Sequence, residues 1–158
     1  MADLIVNLYE KDFLDDTNVK LKNKDIKIKR LLSPNADNLV KFVKDNFSDN
    51  WASEIKAGVY KNNPTCFVAT HNNDIIGFAC YDVTAKGYFG PTGVNQNYRG
   101  NNVGQILLLT TLDAMKEAGY GYAIIGGVNK KVQGFYSRYL NFKVFESKKD
   151  LYSRLINR

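Results

Sequence analysis

The sequence is poor in long apolar runs, proline, cysteine and histidine, and each shortage excludes a class of protein. No uninterrupted apolar stretch approaches the ~18 residues a membrane helix needs, and the opening MADLIVNLYE runs into acids with no basic region or cleavage site. A chain that neither spans a membrane nor is exported is therefore expected. Three prolines and no compositionally biased tract argue against a long disordered region. Two cysteines, Cys66 and Cys80, are too few for a disulfide scaffold. One histidine with unclustered cysteines matches no familiar zinc spacing. The expectation is a cytoplasmic, reduced and metal-free protein. What is present, 158 residues of which 44% are apolar and 24% charged, suits one globular domain with one core.

Lysine and arginine outnumber aspartate and glutamate by 22 to 16, a formal charge of +6, which favours an anionic ligand or partner. Much of the excess lies in VKLKNKDIKIKR, residues 19 to 30, where Lys20, Lys22, Lys24, Lys27, Lys29 and Arg30 partly alternate with Val19, Leu21, Ile26 and Ile28. Alternation of this kind is the period of a half-buried strand, so the segment reads as a solvated, positively charged edge strand. No aromatic residue interleaves with the lysines to stack a base, which argues against a nucleic-acid surface.

Residues 1 to 25 carry no clear pattern and are set apart as an N-terminal extension; residues 26 to 158 read as the domain. A strand is expected over Ile26 to Leu32. Ser33-Pro34 then reads as a helix start with Ser33 as N-cap, followed by Leu39, Val40, Val43 and Phe47 at helical spacing. Ser48-Asp49-Asn50 offers caps for a second helix, in which Trp51, Ile55 and Val59 recur every four residues. CFVAT, HNND and IIGFACYDV form a hairpin pattern. With Asn72-Asn73 as its two-residue turn, Cys66 faces Ala79; a slip of one residue brings Cys66 opposite Cys80. Both cysteines read as small buried hydrophobes in either register.

Next come a strand from Gly87 to Val94, a helix from Val103 to Ala118 ended by Gly119, and a buried parallel strand from Ala123 to Val128. A helix around Lys131 to Tyr139 precedes FKVFE, and DLYSRLI offers a terminal strand. Hairpins before one parallel crossover imply a mixed sheet.

Ten of the twelve glycines fall between Gly87 and Gly134, a concentration that suits close approach of a ligand to backbone. The sharpest segment is Arg99-Gly100-Asn101-Asn102-Val103-Gly104-Gln105, after a strand and at the start of a helix, where unpaired amides and the helix dipole favour an anion. A strand-to-helix turn that holds no ligand is the alternative from this segment alone. The nucleotide P-loop and the dinucleotide glycine fingerprint are both absent.

The run from Val94 to Leu108 resembles the acetyl-coenzyme A motif of the GCN5-related N-acetyltransferases, with Arg99 and Gly104 at its ends and Asn102 in place of its inner glycine. Asn is the non-glycine residue best suited to a left-handed turn. Asn129, Phe135-Tyr136 and Leu140-Asn141-Phe142 resemble the family's closing motif, with Asn141 in place of glycine. FACYD, FGPTGV and AIIGGV are similar to segments of one bacterial subgroup. The resemblance covers about residues 26 to 146.

The resemblance implies an α/β (α+β) fold with a mixed, mostly antiparallel sheet of about six to seven strands flanked by about four helices. It further implies acetyl-coenzyme A as co-substrate, with the pantetheine arm on Thr92 and Val94 and the pyrophosphate on the amides of Gly100, Asn101, Asn102, Val103, Gly104 and Gln105, beside Arg99. Asn129 and Phe135 would also contact it, although helix capping is the other reading of Asn129. Tyr136 would supply the proton for the leaving thiolate; aromatic packing is its alternative.

No Asp or Glu lies between Asp82 and Asp113, so the base is sought among Glu54, Tyr81 and Asp82, with Trp51 lining the acceptor site. His71 reads as a solvated turn residue. The expected reaction is direct acetyl transfer to a primary amine by a monomer or homodimer, with no metal, nucleic acid or membrane. A non-catalytic acyl-coenzyme A sensor on the same fold is the alternative.

Overall fold

The computed structural model describes residues 1–15 and 20–156. Val19, counted above with the lysine-rich alternation, lies outside them. Among the described residues, seven strands form one sheet: β1 (Ala2–Asn7), β2 (Ile26–Arg30), β3 (Cys66–His71), β4 (Asp74–Tyr81), β5 (Tyr88–Val94), β6 (Tyr122–Val128) and β7 (Lys143–Phe145). They are ordered β2-β3-β4-β5-β6-β1-β7. Four α-helices accompany them: α1 (Ala36–Asn46), α2 (Asp49–Val59), α3 (Val103–Glu117) and α4 (Lys130–Ser137). Every strand pair is antiparallel except β5 and β6, which the crossover through α3 joins in parallel. The expected mixed sheet is thus present.

The sheet separates two apolar layers. Phe67, Ala69, Ala79 and Tyr81 face the cluster that contains Leu107, Leu108, Leu112 and Met115 of α3. Their neighbours Cys66, Val68, Phe78 and Cys80 face α1 and α2, against Leu39, Val43, Ile55 and Val59. This is the period-two alternation of strands buried on both faces. Each fully buried aliphatic side chain contributes about 1.5–3 kcal/mol relative to exposure.

Four local expectations are corrected. The start of the expected extension belongs to the sheet: Ala2, Leu4 and Val6 are buried on one side of β1, which lies between β6 and β7. Ser33 does not cap α1, because Ser33–Asn35 forms a 3-10 turn first, and α1 starts at Ala36 without a side-chain cap. DLYSRLI is not a strand: Leu151–Arg154 is a 3-10 helix, and its Tyr152 packs on Gly126 and Gly127 of β6. Ser48 does cap α2, accepting from the Trp51 amide at 3.1 Å.

The fourth correction concerns register. Asn72 and Asn73 both have positive φ, the two-residue hairpin turn expected, and His71 pairs with Asp74. An irregularity between Ala69 and Thr70 then shifts the ladder by one residue, so Cys66 lies opposite Cys80 rather than Ala79. Their sulfurs are 3.1 Å apart, both residues are fully buried, and both are free thiols.

Candidate cofactor and active site

Strands β5 and β6 pair only at Tyr88–Ile124 and Phe89–Ile125, then separate. Among the described residues, no strand pairs with β5 on that side from Gly90 onward. Between Ala79 and Tyr81 the β4–β5 register also shifts, so Phe89 and Thr92 each pair with a residue of the α3-facing layer. The result is an opening between the strands. It leads into a cavity of about 360 Å³ lined by β5 (Phe89, Thr92, Gly93, Val94), the turn and first residues of α3 (Tyr98, Arg99, Gly100, Val103, Gly104, Gln105, Leu108), and Phe135 and Tyr136 of α4.

The polar wall of this cavity is backbone. Asn102 holds the left-handed conformation, φ 64° and ψ 17°, immediately before α3, and Gly100 has φ 87°. Asparagine therefore does what glycine would do at that place. Ile106 is the first amide to make a helical bond, to Asn102 O at 3.1 Å. Among the described residues no acceptor in the chain meets the N–H groups of Val103, Gly104 and Gln105. A Cβ on Gly104 would find only Val94 Cγ2, at 3.7 Å, so the approach is open. Arg99 adds a cation with no ion pair among the described residues. Free amides, a helix dipole and a guanidinium together suit a phosphate.

The apolar wall holds one polar atom of note. Tyr136 is 5% exposed, its ring meets Phe89 and Phe135 edge-on, and its hydroxyl has no hydrogen-bond partner among the described residues. Burial pushes its pKa up to about 12, so the phenol keeps its proton throughout the neutral range.

A sequence model of the Acetyltransferase (GNAT) family matches residues 30–142. The chain belongs to that family. Its fold is that of solved GNAT structures. The glucosamine N-acetyltransferase region of a fungal multi-domain β-N-acetylglucosaminidase superposes with a TM-score of 0.67 at 19% identity, over 91% of this chain and 19% of that one. A GCN5-related N-acetyltransferase from Sphaerobacter thermophilus gives 0.66 at 15% identity, over 90% of this chain and 48% of that one. A GNAT family N-acetyltransferase from Escherichia coli, in complex with coenzyme A, gives 0.51 at 22% identity, over 64% and 60%. The chain thus spans about a fifth and about half of the first two. No curated protein sequence matches it.

Within this GNAT domain the sequence-expected residues divide. Thr92, Val94, Arg99, Gly100, Val103, Gly104, Gln105, Phe135 and Tyr136 line the cavity. Asn101 and Asn102 shape the turn instead: Asn101 Nδ2 donates to Tyr98 O at 3.0 Å and Asn102 Nδ2 to Lys20 O at 2.6 Å. Asn129 caps α4, its Oδ1 accepting from the Val132 amide at 2.9 Å. Phe89, Gly93, Tyr98 and Leu108 line the cavity as well and were missed. Only the strand separation brings Phe89 and Gly93 to it. Tyr98 stands 2.8 Å from His71 Nδ1 through its hydroxyl, so His71 is a half-buried partner of the cavity wall rather than a solvated turn residue.

The acceptor-side candidates have mostly other employment. Tyr81 is buried and its hydroxyl accepts from Arg30 Nη2 at 2.9 Å. Asp82, at φ 56°, accepts from the Gly87 amide and the Tyr120 hydroxyl, each at 2.8 Å. Trp51 packs on Phe47 and Phe78. Glu54 differs: it is half-buried, accepts among the described residues only from Thr84 Oγ1 at 3.2 Å, and burial raises its pKa above the usual carboxylate value. Burial also pushes the Cys80 thiol well above its ordinary value, which disfavours a thiolate nucleophile.

Proposed function

We propose that this chain is an acetyl-coenzyme A-dependent N-acetyltransferase that passes acetyl directly to a primary amine. One observation carries the reading: Tyr136, a buried residue whose hydroxyl makes no hydrogen bond among the described residues, lines the same cavity as the free amides at the start of α3. Pyrophosphate on the Val103–Gln105 amides would leave the thiol arm to run along Thr92 and Val94 toward Tyr136, which line the same cavity.

Acetyl-coenzyme A supplies an activated acyl thioester. The β5 backbone beyond Phe89 orients the arm with the amides that β6 leaves unpaired. Phe135, Phe89 and Leu108 exclude water around it. The neutral acceptor amine forms the new C–N bond as the C–S bond breaks, the nitrogen gives up its surplus proton to solvent, and the Tyr136 hydroxyl delivers its proton to the departing sulfur and is reprotonated from solvent. The phenol's high pKa ensures that the proton is present when the sulfur acquires charge. No cysteine takes part. Asn102 in the left-handed conformation keeps the amides converging, which supports cofactor binding with asparagine in place of the motif's inner glycine.

The test is thiol release from acetyl-coenzyme A over a panel of amines. Wild-type chain should release thiol with at least one amine, and Tyr136→Phe should bind coenzyme A normally and turn over ~100-fold more slowly. Tight coenzyme A binding with no release from any amine would leave a binding module.

A further inference from the structure

A second cavity, of about 220 Å³, lies between the segment that follows β1 and the end of α4, and none of its lining residues lines the cofactor cavity. It is built by two features that acetyl transfer leaves unused. One is the stretch from residue 7 to residue 13, which precedes the expected domain. The other is Asn141, which stands where the family's closing motif has glycine and so brings a side chain that glycine lacks. Tyr139 separates the two cavities. Its backbone oxygen accepts from Lys11 Nζ of this one at 2.7 Å, while its ring packs edge-on against Phe135 of the other and its hydroxyl accepts from Gln105 Nε2 at 3.0 Å.

The floor of the cavity is apolar and its rim is charged. Val6, Phe13 and Leu140 are buried and supply the floor. Glu10 and Arg138 are exposed, carry opposite charges and line the same cavity, yet neither makes an ion pair among the described residues. Asn141 Nδ2 donates to Glu10 Oε1 at 2.9 Å, which positions the carboxylate and leaves Oε2 without a partner among those residues. The Arg138 guanidinium meets no acceptor among them. Lys11 is engaged instead: its Nζ is bound to the Tyr139 oxygen and stands 5.8 Å over the Phe13 ring.

Two unpaired charges of opposite sign above an apolar floor complement a molecule that carries both charges and a hydrocarbon group. A guanidinium takes a carboxylate through two parallel N–H···O bonds, and a carboxylate takes an ammonium. The volume, below the roughly 300–1,000 Å³ of drug-sized sites, suits a small metabolite. We propose that this cavity binds a free α-amino acid with an aliphatic side chain, its carboxylate on Arg138, its ammonium on Glu10 and its side chain against Val6, Phe13 and Leu140. No bond is made or broken there. Occupancy is compatible with coenzyme A in the other cavity, because the two share no lining residue.

The experiment titrates the full chain by calorimetry with L-leucine, with 4-methylpentanoate, which lacks the ammonium, and with 3-methylbutylamine, which lacks the carboxylate, each with and without saturating coenzyme A. Leucine should bind at least ~10-fold more tightly than either analogue, as the loss of one charged hydrogen-bonded contact implies, and coenzyme A should leave its affinity unaltered. Arg138→Ala should weaken leucine and 4-methylpentanoate ~10-fold and leave 3-methylbutylamine unaltered. Glu10→Gln, which keeps the Oε1 acceptor for Asn141, should weaken leucine and 3-methylbutylamine and leave 4-methylpentanoate unaltered. Both side chains are exposed, so both variants should melt as wild type does. Absence of leucine binding, equal binding of all three probes, or leucine affinity unmoved by both variants overturns the proposal. So does displacement of leucine by coenzyme A, which would put the amino acid in the cofactor cavity. The acetyltransferase reading is untouched by all four outcomes and fails only if no amine releases thiol.

Discussion

The two connections that flank β5 use the same unusual backbone for opposite ends. The loop entering the strand turns at Asp82, φ 56°, and the loop leaving it turns at Asn102, φ 64°. Asp82 spends its carboxylate inside the molecule, on the Gly87 amide and the Tyr120 hydroxyl. Asn102 turns its side chain away toward Lys20 and leaves the following amides of α3 without acceptors. A left-handed residue is therefore no mark of function by itself. What distinguishes the two is where the hydrogen-bonding capacity goes: consumed in the first loop, left open to a cavity in the second.

The comparison is broken most severely by Gly104→Asp. Its Cβ fits, but its charge opposes an anion at the helix N-terminus, so coenzyme A affinity should fall ~100-fold or more by calorimetry while the melting curve is retained. Asp82→Ala should do the reverse. It leaves two donors unsatisfied and puts alanine at positive φ, which should cost about 2–4 kcal/mol in denaturant unfolding and leave coenzyme A affinity of the folded fraction unaltered.

Alkaline titration sharpens the same contrast. Burial, aided by the Asp82 hydrogen bond, raises the Tyr120 pKa to about 12, and burial raises that of Tyr136 to about 12 as well. Because these folded values lie above the unfolded value of about 10, the stabilising contribution is fully present below pH ~10 and is lost as pH rises toward 12. Melting temperature should therefore hold from pH 7 to ~10 and fall steeply above, and Tyr120→Phe should lessen the fall. The smallest effect is expected for Asn102→Gly. Glycine adopts the turn with less strain, but the 2.6 Å bond to Lys20 is lost, so coenzyme A affinity should stay within ~3-fold of wild type.

The parts of the site that were legible are those made by near neighbours in the chain. Arg99 to Gln105 are consecutive, and a strand, a left-handed residue and a helix start follow from local preferences. Ser48 as a cap and Asn72-Asn73 as a hairpin turn were legible for the same reason. Asn129 was ambiguous in sequence because capping a helix and holding a ligand use the same side-chain oxygen; the Val132 amide takes it for capping. The Cys66–Cys80 register could not be chosen from the turn, because the shift between Ala69 and Thr70 is an irregularity of pairing rather than of sequence.

Periodicity and turn chemistry in this sequence determined the order of strands and helices from residue 26 to 145 and the strand-to-helix turn before α3, since each depends on residues a few positions apart. Tertiary structure alone decided that β1 completes the sheet between β6 and β7, that β5 and β6 part after Phe89, and that Tyr152 reaches Gly126 from the far end of the chain. Such contacts join segments separated by tens of residues, and their free energy comes from burial and hydrogen bonds that exist only once the sheet has assembled.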